Sequence, residues 1–242
     1  MQAVTEGLAR VRERIARAAT AAGRDPESVR LVGASKRKPA EAIRAAYQAG
    51  LRDFGENYVQ ELSSKAEELA DLPDLRWHMI GRLQRNKARH VIRAASAVQT
   101  VDSAKLAHEL GRRAADFAVP EARRLRVGGR PPDGRLVVLV EVNVGGEQEK
   151  NGCAPSELGE VLDAVDAESA LALAGLMTLP PHTDDPAGAR PFFDEMVRLR
   201  ERHGGPERLP ELSMGMTHDL EYAVAAGATM VRVGTAIFGA RS

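Results

Sequence analysis

Short runs rich in aliphatic and β-branched residues alternate with longer amphipathic segments along the chain. This alternation is typical of βα units, because parallel strands need helical crossovers and are buried on both faces. Eight such runs in 242 residues predict an α/β protein folded as a (β/α)8 (TIM) barrel, with a helix after each strand except the last. The predicted strands are Val29–Ser35, Asp53–Gly55, Arg76–Ile80, Ala97–Val101, Leu136–Asn143, Leu171–Met177, Glu211–Met214 and Thr229–Val233.

Two further segments complete the predicted organisation. Apolar residues recur at helical spacing near the N-terminus, which predicts an extra helix over Val4–Ala22 ahead of the first strand. The segment Val119–Gly134 is rich in proline and glycine, which disfavour helices and central strands, and we expect a mobile surface loop there. We expect residues 1–242 to form one domain.

Charge and cysteine content exclude several classes of function. Lys plus Arg and Asp plus Glu both number 34, so the formal net charge of zero gives no general attraction to nucleic acid or to anionic membranes. The sequence contains no long uncharged apolar run, so it predicts neither a membrane span nor a signal peptide. We expect a cytoplasmic monomer. A single cysteine, Cys153, and six scattered histidines predict no metal site.

Polar residues stand where the predicted strands end, which is where (β/α)8 barrels carry their functional groups. Lys36 closes strand 1, Asn57 follows strand 2 and His78 lies in strand 3. An ordinary surface lysine is the alternative at Lys36, but burial at a strand end favours an uncharged amine that forms an imine with an aldehyde. Lys38 lies two residues further along, and of the two lysines we assign Lys36 to the barrel axis.

Arg232 lies within strand 8, where a buried guanidinium needs a partner. A carboxylate on a neighbouring strand or an outward-pointing side chain would also satisfy it. The segments Ser213–Thr217 and Gly234–Thr235 follow strands 7 and 8 and offer hydroxyl and N–H groups at the usual phosphate site of a barrel. An imine-forming lysine, a phosphate site and an arginine on one rim suit a phosphorylated aldehyde with a ring nitrogen, such as pyridoxal 5′-phosphate.

Seven motifs in order resemble those of a known family. The similarity is to the YggS/PROSC family of pyridoxal phosphate homeostasis proteins, which have an alanine-racemase-like N-terminal barrel, and it covers essentially the whole chain. The motifs that carry the resemblance are Val32–Lys36, Phe54–Glu61, Trp77–Gly81, Leu83–Lys87, Gly175–Thr178, Leu212–Met216 and Val231–Thr235.

The resemblance implies a role for each of the candidate site residues. Lys36 would hold pyridoxal 5′-phosphate as a Schiff base, and Arg232 would face the pyridine nitrogen. Asn57 and Met214 would line the ring, and we also count His78 among the cofactor-binding residues. The residues implied to hold the phosphate are Ser213, Gly215, Gly234 and Thr235.

The leading hypothesis is a protein of intracellular pyridoxal phosphate homeostasis without robust catalysis. An arginine at the pyridine nitrogen disfavours protonation of the ring and makes it a weaker electron sink. Alanine racemases take a second acid/base, a tyrosine, from a further domain, and we expect none after strand 8. Tyr47, Tyr58 and Tyr222 fall in or beside outer helices. The protein would buffer the cofactor or deliver it to apo-enzymes that use it, with effects on amino-acid pools.

Two enzymatic hypotheses stay open from the sequence. A low-activity amino-acid racemase would use Lys36 as one base and His78 or a water molecule as the other. His78 is equally well explained as a hydrogen-bonded histidine at the rim. A phosphosugar-binding barrel enzyme would need carboxylates as acid and base, for which the candidates are Glu56, Asp102 and Glu141.

Overall fold

In the computed structural model, which describes residues 2–128, 133–147 and 151–239, eight parallel strands close into a barrel. Consecutive strands are neighbours, and β8 pairs with β1 to close the sheet. The predicted (β/α)8 architecture is therefore confirmed. The strands are β1 Arg30–Ala34, β2 Asp53–Glu56, β3 Arg76–Met79, β4 Ala95–Val101, β5 Leu136–Glu141, β6 Leu171–Met177, β7 Glu211–Ser213 and β8 Met230–Val233.

Helices cover the outside of the barrel, because the strands expose apolar side chains on both faces and the outer face must be buried. One difference from prediction is a short helix after β8, which begins directly beside the cavity described below. Among the described residues no helix is both long and apolar enough to cross a membrane. The helices are α1 Gln2–Ala21, α2 Ala40–Gln48, α3 Val59–Glu68, α4 Ala88–Ile92, α5 Ala104–Ala114, α6 Leu158–Asp166, α7 Arg190–Arg202, α8 Gly205–Arg208, α9 Leu220–Ala226 and α10 Thr235–Phe238.

The predicted N-terminal helix is confirmed as α1, and it supports the last βα unit. Its buried face includes Leu8, Val11 and Ile15. Gly7 allows a close backbone approach, since a Cβ at this position would lie 2.6 Å from the carbonyl oxygen of Ala236 in α10. The helix therefore packs directly against the segment that follows β8.

The segment expected to be a mobile surface loop is partly packed into the barrel. Val119, Leu125 and Val127 are buried, and the latter two join a cluster of barrel residues from β4, β5 and β6. The guanidinium of Arg30 donates to the carbonyl oxygen of Arg126 at 2.8 Å. The expectation of a surface loop is wrong for these residues, because apolar side chains spaced two apart turn one face of an extended segment inward. Residues 129–132 of the predicted loop lie outside the described residues.

We predict that Leu125→Ala destabilises the protein by about 3 kcal/mol, because a buried leucine is replaced by a cavity. Urea unfolding followed by circular dichroism measures this change. The neighbouring Arg126 side chain is exposed, and Arg126→Ala serves as the control with a change within about 0.5 kcal/mol. Equal stability of both variants would show that the segment does not contribute to the core.

Candidate functional site

A cavity of about 630 Å³ opens at the carboxyl ends of the strands. Its walls come from the segments after β1, β2, β3, β6, β7 and β8, which is the face where barrels of this class bind ligands. The lining residues are Ala34, Lys36, Lys38, Asn57, Ile80, Leu179, Pro180, Pro181, His182, Thr183, Met216, Thr217, His218, Asp219, Arg232, Gly234, Thr235 and Gly239.

Lys36 lies in the turn that follows β1 and is half-buried, with its side chain lining the cavity. The turn is closed by a hydrogen bond of 3.0 Å from the Lys38 N–H to the Ser35 carbonyl oxygen. Arg37 has a φ of +58°, in the left-handed region that non-glycine residues rarely adopt. Its N–H donates to Glu61 Oε2 at 2.7 Å, which supports this conformation.

A buried lysine on α3 holds the same turn from behind. Lys65 Nζ donates to the Ser35 carbonyl oxygen at 2.9 Å, to Glu56 Oε1 at 2.7 Å and to Glu61 Oε2 at 2.9 Å. Ser35 Oγ also donates to Glu56 Oε1 at 2.7 Å. Burial raises the pKa of Glu56 even though Lys65 and Ser35 oppose the rise. These contacts fix the backbone that carries Lys36.

Arg232 points from β8 into the cavity, and its guanidinium is held by neutral groups. Nη1 donates to Ser213 Oγ at 2.6 Å, and Nη2 donates to the Thr178 carbonyl oxygen at 2.7 Å. Burial lowers the pKa of Arg232 to about 10, while the charges of Glu141 and Asp219 act in the opposite direction. Among the described residues no carboxylate forms an ion pair with Arg232 within 4.0 Å. A buried cation with spare N–H groups thus faces the cavity.

The segment after β8 offers a second polar edge to the cavity. Gly234 lines it, and a Cβ at this position would lie 3.0 Å from the Ala34 carbonyl oxygen, so glycine allows a close approach to β1 there. Helix α10 begins at Thr235, and the first N–H groups of a helix have no acceptor within it. Thr217, in the loop after β7, lines the same cavity.

The structure brings five of the nine candidate residues together, namely Lys36, Asn57, Arg232, Gly234 and Thr235. The other four lie behind the cavity wall. Ser213 and Met214 are fully buried, and Gly215 packs against α9, where a Cβ would lie 2.5 Å from that of Ala223. Ser213 supports Arg232, and Met216 and Thr217 take the lining positions instead.

The fourth residue, His78, lies in the interior of the barrel and not at the rim. It is fully buried, and both ring nitrogens are engaged, with Nε2 2.9 Å from Asp53 Oδ1 and Nδ1 2.9 Å from Gln99 Nε2. Because neither nitrogen is available to a ligand, His78 is not placed to act as a base in the cavity. Burial lowers the pKa of His78, although Asp53 opposes this change.

The other residues of the enzymatic hypotheses are also outside the cavity lining. Glu56 is engaged by Lys65, and Glu141 is buried at the end of β5. Tyr47 donates its hydroxyl to Asp74 on the outside of the barrel. Within the described residues the cavity lining includes neither Asp102 nor any tyrosine.

Comparison with known proteins gives a family. The model of the alanine racemase N-terminal domain matches residues 7–242. A protein of Pseudomonas aeruginosa called pyridoxal phosphate homeostasis protein is 46% identical over 242 residues, covering 100% of this chain and 97% of the relative. This chain belongs to the family of pyridoxal phosphate homeostasis proteins. The resemblance found in the motifs is thus confirmed.

Two further relatives extend the comparison to other bacteria. A pyridoxal phosphate homeostasis protein of Aquifex aeolicus is 41% identical, with 98% of this chain and 97% of the relative covered. The structure of PipY from Synechococcus elongatus with pyridoxal phosphate bound matches with a TM-score of 0.76 and 36% identity. That match covers 98% of this chain and 100% of PipY.

Sequence reasoning missed the residues that act at a distance from the cavity. Lys65 and Gln99 support Lys36 and Arg232 respectively through buried hydrogen bonds. Gln99 could have been identified from the sequence, because it is an amide inside the apolar strand Ala97–Val101. Lys65 could not, since a lysine on a helix is ordinarily exposed. His182 and His218 reach the cavity from loops whose paths no sequence pattern describes.

We predict that Lys65→Met destabilises the protein by about 3 kcal/mol at pH 8, because it leaves Glu56 buried without its cation. The loss should be smaller at pH 5, where Glu56 is more readily protonated. Urea unfolding at the two pH values measures the effect. Lys105→Met, at an exposed lysine, is the control and should change stability little at either pH.

A second prediction concerns Glu141, whose pKa is raised from 4.5 to about 7 by burial. Its folded-state pKa lies above the unfolded value, so the contribution of Glu141 to stability is fully present below pH 4.5 and is lost as the pH rises through about 7. Glu141→Gln should therefore stabilise the protein by about 3 kcal/mol at pH 8 and have little effect at pH 4. The control is Glu13→Gln, at a side chain that is 66% exposed. A pH-independent effect of Glu141→Gln would contradict the assignment.

Proposed function

We propose that this chain binds pyridoxal 5′-phosphate in the cavity at the carboxyl end of the barrel and serves in the homeostasis of this cofactor. The observation that carries the proposal is the convergence of Lys36, Arg232 and the Gly234–Thr235 segment on one cavity. Each of them suits a different part of the cofactor. The relatives named pyridoxal phosphate homeostasis proteins support the same function.

Lys36 is the group we assign to the aldehyde. Its uncharged amine adds to the carbonyl carbon, one molecule of water leaves, and a carbon–nitrogen double bond joins Nζ to the cofactor. The turn held by Lys65 and Glu61 supports this role, because it keeps the lysine at the cavity wall. Lys38 lines the same cavity and is the alternative attachment point.

Arg232 suits the pyridine nitrogen of the cofactor. A guanidinium donates hydrogen bonds and does not give up its proton in proteins, so it leaves a ring nitrogen unprotonated. When bound, pyridoxal phosphate supplies an electron sink, and an unprotonated ring is a weaker one. Arg232 therefore favours retention of the cofactor over rapid turnover of an amino acid.

The phosphate fits the edge formed by Gly234, Thr235 and Thr217. Hydroxyl groups and the first N–H groups of α10 supply donors for its oxygens, and glycine permits a close approach. We place Ser213 and Gly215 behind this edge, as supports for the residues that contact the ligand. Asn57 also lines the cavity, and we assign it to the ring of the cofactor.

We further propose that the chain acts as a monomer that passes the cofactor to apo-enzymes. Lys36 is only half-buried, and the side chains of His182 and Met216 at the cavity mouth are exposed. A second amine can therefore approach the attached cofactor and displace Lys36, with the lysine amine released as the new bond forms. This exchange is reversible and suits buffering and delivery.

We predict that borohydride reduction of the protein with bound pyridoxal phosphate leaves a stable adduct on Lys36. Peptide mass spectrometry identifies the modified residue. Lys36→Ala should lose the adduct, whereas Lys38→Ala, the matched control two residues away in the same cavity, should keep it. An adduct that persists in Lys36→Ala and disappears in Lys38→Ala would move the attachment point to Lys38.

A separate test, with the same pair of variants, examines whether the protein retains pyridoxal phosphate without catalysing racemisation. We call this the holding role. Wild-type protein loaded with pyridoxal phosphate is incubated with L-alanine and L-serine, and the enantiomers are separated by chromatography over time. We expect no racemisation at ordinary enzymatic rates. Steady racemisation that depends on Lys36 but not on Lys38 would contradict the holding role and support the racemase hypothesis.

A further inference from the structure

A chain of hydrogen bonds crosses the barrel interior from Arg232 to Asp53. Arg232 Nη1 lies 2.6 Å from Ser213 Oγ, which lies 2.6 Å from Gln99 Oε1. Gln99 Nε2 lies 2.9 Å from His78 Nδ1, and His78 Nε2 lies 2.9 Å from Asp53 Oδ1. The five residues come from β8, β7, β4, β3 and β2. This hydrogen-bond chain therefore joins the cavity to the other end of the barrel.

The direction of every hydrogen bond in this chain is fixed by its first member. A guanidinium only donates, so Ser213 accepts from Arg232 and uses its own hydrogen towards the carbonyl oxygen of Gln99. The amide nitrogen of Gln99 must then donate to Nδ1 of His78. His78 consequently carries its hydrogen on Nε2 and donates to Asp53. Hydrogen bonds that all run in one direction polarise and strengthen one another.

The far end of the chain is anchored by two arginines. Arg76 donates to both carboxylate oxygens of Asp53, at 2.9 and 2.7 Å, and Arg30 Nη1 lies 3.6 Å from Oδ1. Burial alone would raise the pKa of Asp53, but the hydrogen bonds from Arg76 and His78 hold it well below its ordinary value. The chain thus ends on a carboxylate that stays ionised and fixed in position.

The middle members cannot move independently. Ser213, Gln99 and His78 are fully buried, and a buried polar group that loses its partner carries a large free-energy penalty. The position of the Arg232 guanidinium depends on this rigidity, because the two groups that accept its hydrogen bonds, Ser213 Oγ and the Thr178 backbone carbonyl oxygen, are neutral. The orientation of the guanidinium is therefore set by Ser213 together with the Thr178 carbonyl oxygen, and it depends on how firmly Ser213 is held.

We propose that Gln99 and His78 are positioning residues that hold the guanidinium of Arg232 in the orientation that the ring of pyridoxal phosphate requires. This inference rests on the proposed function, since it assumes that the cofactor occupies the cavity. Neither residue lines the cavity. Their effect on the cofactor is therefore transmitted through Ser213 and Arg232.

The test uses variants that break or preserve the chain. Gln99→Met keeps the approximate shape of the side chain but removes its hydrogen bonds to Ser213 and His78, and His78→Leu removes the imidazole. His78→Gln is the conservative variant, because an amide still accepts from Gln99 and donates to Asp53. Thr100→Val is the matched control: Thr100 is buried on the same strand and its hydroxyl bonds to the Gly81 carbonyl oxygen, outside the chain.

Three readouts are compared for each variant loaded with pyridoxal phosphate: the borohydride adduct on Lys36, the absorption spectrum as a function of pH, and the rate of cofactor release. We expect Gln99→Met and His78→Leu to keep the adduct, to shift the spectrum and to release the cofactor about tenfold faster, the effect of one charge-assisted hydrogen bond. His78→Gln and Thr100→Val should resemble the wild type.

The outcomes separate this inference from the proposed function. If the wild type forms no adduct, the proposed function fails. If it forms the adduct but Gln99→Met has the wild-type spectrum and release rate, the positioning role is refuted. It is equally refuted if Thr100→Val changes both readouts as much as Gln99→Met. Should Gln99→Met not fold, the comparison of His78→Leu with His78→Gln decides, and identical behaviour of these two overturns the inference.

Discussion

The buried guanidinium of Arg232 is the constraint on which the carboxyl end of this barrel depends. A cation inside a strand normally requires a carboxylate beside it, yet here the nearest partners are a hydroxyl and a backbone carbonyl. The charges of Glu141 and Asp219 favour the charged guanidinium from a distance. A carboxylate bonded directly to the guanidinium would occupy the N–H groups that face the cavity. Because the carboxylates act from a distance, the N–H groups of Arg232 that face the cavity are available to a ligand.

Lys36 and Arg232 are held by different means, although both stand at strand ends around one cavity. The turn that carries Lys36 is fixed through its backbone, by Lys65 and Glu61 on α3. Arg232 is fixed through its side chain, from inside the barrel. A covalent anchor needs its backbone placed and its amine mobile, because the amine must move as the bond forms. A hydrogen-bond donor to a ring needs the opposite, since its direction decides whether the bond is made.

The barrel, its eight strands and α1 were predictable because each rests on a local pattern repeated many times. The apolar runs predict the strands, and the helical segments between them are long enough to connect parallel neighbours. Lys36 and Arg232 were identifiable as candidates because charge inside or beside an apolar run is unusual. The location of His78 was not predictable. Its strand was predictable. Whether His78 is buried against Asp53 or exposed at the rim depends on strand tilt and register, which only the closed barrel sets.

The misjudged segment at Val119–Gly134 and the misplaced His78 have a common physical origin. The proline and glycine content of the first indicated a surface loop, and the position of His78 near a strand end indicated the rim. In both cases the barrel interior supplied partners that the sequence does not reveal. Leu125 and Val127 find apolar neighbours from three strands, and His78 finds Asp53 and Gln99. A closed barrel brings residues distant in sequence into one interior, so its polar members satisfy one another. The hydrogen-bond chain behind Arg232 is a product of that closure, and for this reason no motif in the sequence describes it.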